Sequence, residues 1–149
     1  LHLDVFTSTL FGGNQLAVVL DARGLSDGEM QAIAREMNFS ETTFVLPSSR
    51  KGCGARVRIF TPGSELPMAG HPTVGTAFAL ARTGVLGASD TRTVFELGVG
   101  PTPVDLEWRG TELGFAWMTQ QPPVVQRVQA SAASLEAALR VEAGSIDAD

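Results

Sequence analysis

The spacing of hydrophobic positions changes several times along the chain, and each change marks an element. Residues 3–6 and 16–20 (LDVF and LAVVL) are short apolar runs with Phe11-Gly12-Gly13-Asn14 between them, which predicts two strands around a glycine loop. Met30, Ile33, Ala34 and Met37 then recur at i, i+3, i+4 and i+7, the apolar face of a surface helix. Ser26 followed by Glu29 makes a capping box for it, Leu25 and Met30 take the staple positions, and Asn38 is a suitable stop. Thr42 to Leu46 is β-branched and aromatic, hence a strand, and Ser48 to Gly54 is a polar, basic turn. Arg56 to Phe60 alternates, as a strand with one wet face does. Three more strands are expected at about 93–97, 103–108 and 112–118, the last two joined by Arg109-Gly110-Thr111.

One stretch breaks the pattern. Residues 66–81, LPMAGHPTVGTAFALA, contain no Asp, Glu, Lys or Arg. From Pro72 onward the run is apolar or small on every side, the pattern of a helix buried all round, ending near Arg82-Thr83-Gly84. Its first turn, Gly70-His71-Pro72-Thr73, carries no acidic cap, so its unpaired N–H groups need a partner, for which an anionic ligand is suited. Seven or so strands with such a helix predict an α+β fold, a curled mixed sheet or barrel wrapped around one buried central helix.

Gln120-Gln121-Pro122-Pro123 reads as a boundary, since two prolines end strand pairing. It separates a lobe over 1–120 from 121–149, a linker and the beginning of an incomplete second lobe with a short helix from Ser134 to Val141. A hydrophobic content of 44% with 18% charged residues fits an ordinary globular domain. A net charge of −5 without any basic cluster argues against nucleic acid and anionic membrane surfaces as partners. The uncharged run is short for a bilayer span and interrupted by Pro67, Gly70 and Pro72. The single cysteine, Cys53, leaves no internal disulfide and fits a reducing, cytoplasmic setting. The start lacks the basic-then-apolar order of a signal peptide and also lacks Met, so a trimmed or incomplete N-terminus is expected.

Glu41, within Phe39-Ser40-Glu41-Thr42-Thr43-Phe44, reads either as a solvent-exposed loop carboxylate or as a general acid/base kept dry by the flanking aromatics. His71 reads as a base, a ligand hydrogen-bond donor or a core residue, and Gly70 permits close backbone approach. Thr73 and Thr76 add hydroxyls that can cap the helix or reach a ligand. Glu65 is a second acid or, preferably, a salt-bridged rim residue, and Cys53 an activated thiol or, preferably, a surface cysteine. The sequence holds no zinc spacing, no phosphate or dinucleotide loop and no Gly-x-Ser-x-Gly elbow.

Three linked segments, DVFTSTLFGGNQLAVVL, AREMNFSETTFVLP and ARVRIFTPGSELPMAGHPTVGTAFAL, together resemble the phenazine biosynthesis PhzF-like isomerase/epimerase family over residues 3–118. The resemblance implies a diaminopimelate epimerase-like fold of two lobes, each a sheet curled round a central helix, with the active site between them. It places the catalytic acid/base on Glu41, the substrate-facing helix start on Gly70, His71 and Pro72, and the Gly12 to Asn14 loop near the cleft. Together with Thr73, whose N–H belongs to the same helix start, this makes Asn14, Gly70, His71 and Thr73 the substrate-binding candidates. It implies an isomerase or epimerase that shifts a proton on a small carboxylate substrate, with no metal and no organic cofactor. Ala69 stands where the epimerase and racemase relatives carry a cysteine, so a thiol mechanism is not expected. Gln15 replaces the family's usual proline, and nothing from Thr102 to Asp149 matches the aspartate and Thr-Gly-Ser helix start of the family's second lobe. The site is therefore expected to be completed by a second lobe outside this chain. The alternative is a catalytically silent lobe that binds a ligand or self-associates as a homodimer.

Overall fold

The computed structural model describes residues 1–125 and 130–146. β1 (His2–Val5) stops where Phe6 takes a left-handed φ of 64°, and the chain returns antiparallel as β2 (Asn14–Val19). Gly13 is required at that return, because a Cβ there would stand 2.5 Å from the Val5 carbonyl oxygen. α1 (Asp27–Met37) carries the expected capping box: Ser26 Oγ accepts the Glu29 N–H, and the Glu29 carboxylate accepts the Ser26 N–H. Asn38, at φ 52°, turns the chain left-handed into β3 (Glu41–Leu46), which lies parallel to β2.

β4 (Ala55–Phe60) runs antiparallel to β3, and the two-residue β5 (Glu65–Leu66) pairs with the far end of β4. α2 (Gly70–Arg82) follows, then β6 (Arg92–Leu97), β7 (Gly100–Arg109) and β8 (Glu112–Met118). β6 joins β4 in parallel, and the hairpins extend the sheet to the order β1-β2-β3-β4-β6-β7-β8. The fold is α+β, a curled mixed sheet around α2, as the sequence predicts.

Two cores result from the two faces. Outside the sheet, α1 covers β3 and β4 with Met30 and Ala34 against Phe44 and Phe60. Inside, Leu16, Val18, Val57, Ile59, Phe95 and Val104 surround Ala77, Ala79 and Leu80 of α2. Arg58, on the face expected to be wet, is largely covered, because it joins β4 to Asp27 of α1 and Glu65 of β5.

α2 differs from the expected helix in one respect. It is not buried all round: Val74, Phe78 and Ala81, at i, i+4 and i+7, form a half-buried stripe. The cause is that the sheet does not close. Its first and last strands both reach α2 but leave between them a groove of about 510 Å³, lined by Leu3, Val5, Val74, Gly75, Phe78 and Ala116 among others.

Beyond β8, residues 119–125 carry no regular structure and are exposed. α3 (Ala132–Leu139) starts two residues earlier than expected because the Ser131 side chain accepts the Ser134 N–H, and Arg140 ends it at φ 56°. α3 contributes no residue to either core. Residues 126–129 and 147–149 of the expected linker and second-lobe segment lie outside the described residues.

Candidate active site

The starts of β2, β3 and α2 come together at one end of the sheet. Parallel pairing sets Leu16 beside Glu41, so Asn14 and Gln15 at the start of β2 adjoin Ser40 and Glu41. Glu41 therefore stands on the first position of β3, not in a loop. Ser40 Oγ donates to Asn14 Oδ1 at 3.0 Å and lies 3.4 Å from the Gln15 carbonyl oxygen.

Alternation along β3 turns Glu41, Thr43 and Val45 toward α2, and Thr42 and Phe44 toward α1. Phe44 consequently packs on the far side of the sheet against Phe60, and Phe39 stacks on His2 at 4.5 Å. What encloses the Glu41 carboxylate is instead the helix start. His71 Nε2 lies 3.4 Å from Glu41 Oε2 and 3.4 Å from the Gln15 carbonyl oxygen, and only 9% of the His71 side chain and 16% of the Glu41 side chain are accessible. Glu41 Oε2 is buried with no hydrogen-bond partner. A polar atom enclosed without a partner is costly and calls for an explanation. Thr42 Oγ1, on the α1 side of the strand, is another, but only Glu41 Oε2 stands beside the open helix start, where a ligand can supply the missing proton.

The first turn of α2 supplies the positive side. Ala69 is the N-cap, in extended conformation, and its methyl offers no cap bond; no acid stands in the turn. Gly70 and His71 hold N–H groups with no helical partner by position, and Pro72 has none to give. Those donors and the helix dipole favour an anion at this point. Thr73 is enclosed and its hydroxyl donates back to the Ala69 carbonyl at 2.7 Å, which braces the turn from inside. On the opposite side of Gly70, a Cβ would meet the Gln120 amide nitrogen and the Met118 methyl at 3.9 Å.

Asn14, Glu41, Gly70 and His71 thus share one surface, with Thr73 beneath it. Glu65 does not belong to it, being held bidentately by Arg58 at 2.6 and 2.7 Å, a rim pair. Nor does Cys53, which precedes Ala55 and so stands at the end of β4 opposite the Phe60 end that neighbours Glu41. Among the described residues no three His, Cys, Asp or Glu side chains gather to hold a metal ion, and no helix is long and apolar enough to cross a membrane. Reading the sequence alone missed the Ser40 hydroxyl and the Gln15 carbonyl as members of the site. Ser40 was within reach, since it adjoins Glu41 in the same short motif; the carbonyl left no signal in side-chain pattern.

Comparison with known proteins bears on this geometry. A family model described as phenazine biosynthesis-like protein (PhzC-PhzF) matches residues 3–148. An uncharacterized isomerase of Mesorhizobium japonicum is 56% identical over 102 residues, covering 68% of this chain and 33% of the relative. The trans-2,3-dihydro-3-hydroxyanthranilate isomerase of Pseudomonas fluorescens is 44% identical over 121 residues, covering 81% of this chain and 42% of the relative. The chain thus spans well under half the length of these two relatives. Among solved structures, a Bacillus anthracis PhzF-family protein superposes with a TM-score of 0.66 at 41% identity over 72% of this chain and 35% of its own. A hydroxyproline epimerase of Agrobacterium vitis shares the fold, with a TM-score of 0.55 at 15% identity over 67% of this chain and 32% of its own.

Proposed function

The chain belongs to the phenazine biosynthesis-like (PhzC-PhzF) family, and on that premise we propose that it forms one face of an isomerase site that shifts a proton on a small carboxylate substrate. The single observation that carries this reading is the enclosed, unbonded Glu41 Oε2 beside His71 at an uncapped helix start. The substrate carboxylate is held by the Gly70 and His71 N–H groups, with the Asn14 side-chain amide adding a donor at the rim. Glu41 removes a proton from a carbon activated by that carboxylate or by conjugation with it. The electron pair moves along the substrate, and the same proton, or one exchanged for it, returns from Glu41 to another carbon. The carboxylate ends as it began, so the step balances with no oxidant, metal or organic cofactor. Charge that develops on the substrate in between is stabilised by the same fixed N–H groups, which need no rearrangement to do so. Thr73 supports the site through the Ala69 carbonyl.

Relatives are named isomerases, and one name states a substrate that can serve as a probe. In the polypeptide that carries this chain, conversion of trans-2,3-dihydro-3-hydroxyanthranilate is expected to fall by about 10²- to 10⁴-fold on Glu41→Gln, the usual range for loss of a general acid/base. Full turnover by a folded Glu41→Gln protein would remove Glu41 from the mechanism.

A second reading, a catalytically silent lobe that binds a ligand or self-associates as a homodimer, is favoured in its homodimer form by the open groove between β1 and β8. It predicts association in sedimentation at low micromolar concentration together with no turnover of the probe by the parent protein. A monomer that turns the probe over excludes it.

A further inference from the structure

Between β3 and α2, two hydroxyls are fully enclosed and face each other. Thr43 Oγ1 lies 2.9 Å from Thr76 Oγ1, and both residues have 0% exposure. Thr76 Oγ1 also donates to the Pro72 carbonyl oxygen at 2.7 Å. A hydroxyl has one proton to give, so the direction of the pair is settled: Thr76 spends its proton on Pro72, and Thr43 donates to Thr76. The result is a directed chain from β3 through Thr76 to the carbonyl of the residue that follows His71.

Hydroxyls enclosed in this way cost free energy unless bonded, whereas valine fills the same space without any demand on direction. What the hydroxyl chain adds is geometric: it fixes both the sliding of α2 along β3 and its rotation. Its position matters for the candidate site. Glu41 is two residues before Thr43 on the same strand face, a rise of about 6.7 Å, and His71 is five residues before Thr76, a rise of about 7.5 Å. Strand and helix therefore climb together, with Thr43–Thr76 as the inner rung and Glu41–His71 as the outer one. The outer rung, at 3.4 Å, is too long to hold itself in place, while the inner bonds are of ordinary length and shielded from water.

We infer that Thr43 and Thr76 are positioning residues for the candidate site: their hydroxyl chain sets the Glu41–His71 separation. This rests on the reading of Glu41 and His71 as a functional pair, but its test needs no turnover, so the two can fail separately. The chain has only two histidines, which makes the His71 ring signal assignable by NMR. At a fixed pH, the displacement of the His71 Cε1–H resonance caused by Glu41→Gln reports how closely the two side chains meet. The same substitution is then made in a Thr43→Val background. The displacement is expected to shrink by about half or more there, and to persist in a Thr43→Ser background, which keeps the hydroxyl and loses only the methyl. An undiminished displacement in folded Thr43→Val, or equal loss with Val and Ser, overturns the inference. Should Thr43→Val fail to fold, Thr43→Ala and Thr43→Ser are compared instead; both shorten the side chain and only serine keeps the hydroxyl, so equal displacements in the two overturn it.

Discussion

Gly75 is the residue on which the closeness of α2 to the sheet depends. A Cβ there would stand 2.5 Å from Leu16 Cδ2 and 2.7 Å from Val5 Cγ2, inside the packed core. Gly75→Ala is accordingly expected to cost about 1–3 kcal/mol despite the better helix propensity of alanine, measured as a lowered urea midpoint; an unchanged or raised midpoint would contradict the packing described. Glu96 makes a second prediction at this scale. The Ser48 hydroxyl, joined by the Ser49 N–H and hydroxyl, holds its carboxyl below the usual glutamate range. Because the folded state holds this proton less tightly than the unfolded one, the stabilisation is fully present above the unfolded pKa and is lost as pH falls through the folded pKa. The stability gap between the parent and Glu96→Gln should therefore be widest near neutral pH and close as the solution is acidified. A gap independent of pH would mean that the Ser48 and Ser49 contacts do not act on the ionised form. Single residues could be singled out in the sequence where chemistry and motif coincide, as at Glu41 and His71, which the structure brings within 3.4 Å of each other. They were not legible where a backbone carbonyl or an interior hydroxyl acts, because the place of Gln15 and Thr43 depends on which strands pair in parallel.

At the scale of elements, local signals were read well where they are complete in themselves. α1 carries its start, its apolar face and its stop within thirteen residues, from Ser26 to Asn38; the cap and the stop reappear in the structure, and so does the face at Met30, Ile33 and Ala34, while Met37 is exposed. Ser26→Ala should lower stability by about 1 kcal/mol, seen in chemical denaturation, and a change below a few tenths would mean the cap bonds are not maintained in solution. β5 escaped notice because two residues carry no periodicity; only pairing with Ile59 and Phe60 makes them a strand. The uncharged composition of α2 was legible, but its half-buried stripe was not. Whether a helix without charges is enclosed on every side depends on sheet closure, which no window of sequence around the helix records. The inward turn of Glu41, likewise, follows from strand alternation once β3 is known to begin at that residue and not after it.

At the scale of the whole molecule, the curled sheet presents the starts of β2, β3 and α2 on a common surface, so donors, carboxylate and imidazole converge although residues 14, 41 and 71 are far apart in the chain. α3 stands apart from both cores. Removing residues 124–149 is therefore expected to leave the unfolding free energy of the remainder, from urea denaturation, within about 0.5 kcal/mol of its parent value, and a larger loss would show that the tail packs on the lobe. The convergent surface is the central claim, and it can be tested on this chain directly. Backbone and side-chain amide signals are followed by NMR while benzoate, a small carboxylate, is added. The account predicts that the Gly70 and His71 N–H groups and the Asn14 side-chain amide shift together along one saturating curve, and that Glu41→Gln strengthens the binding by relieving like-charge repulsion. Shifts confined to the groove between β1 and β8, with Gly70 and His71 unmoved, would contradict it.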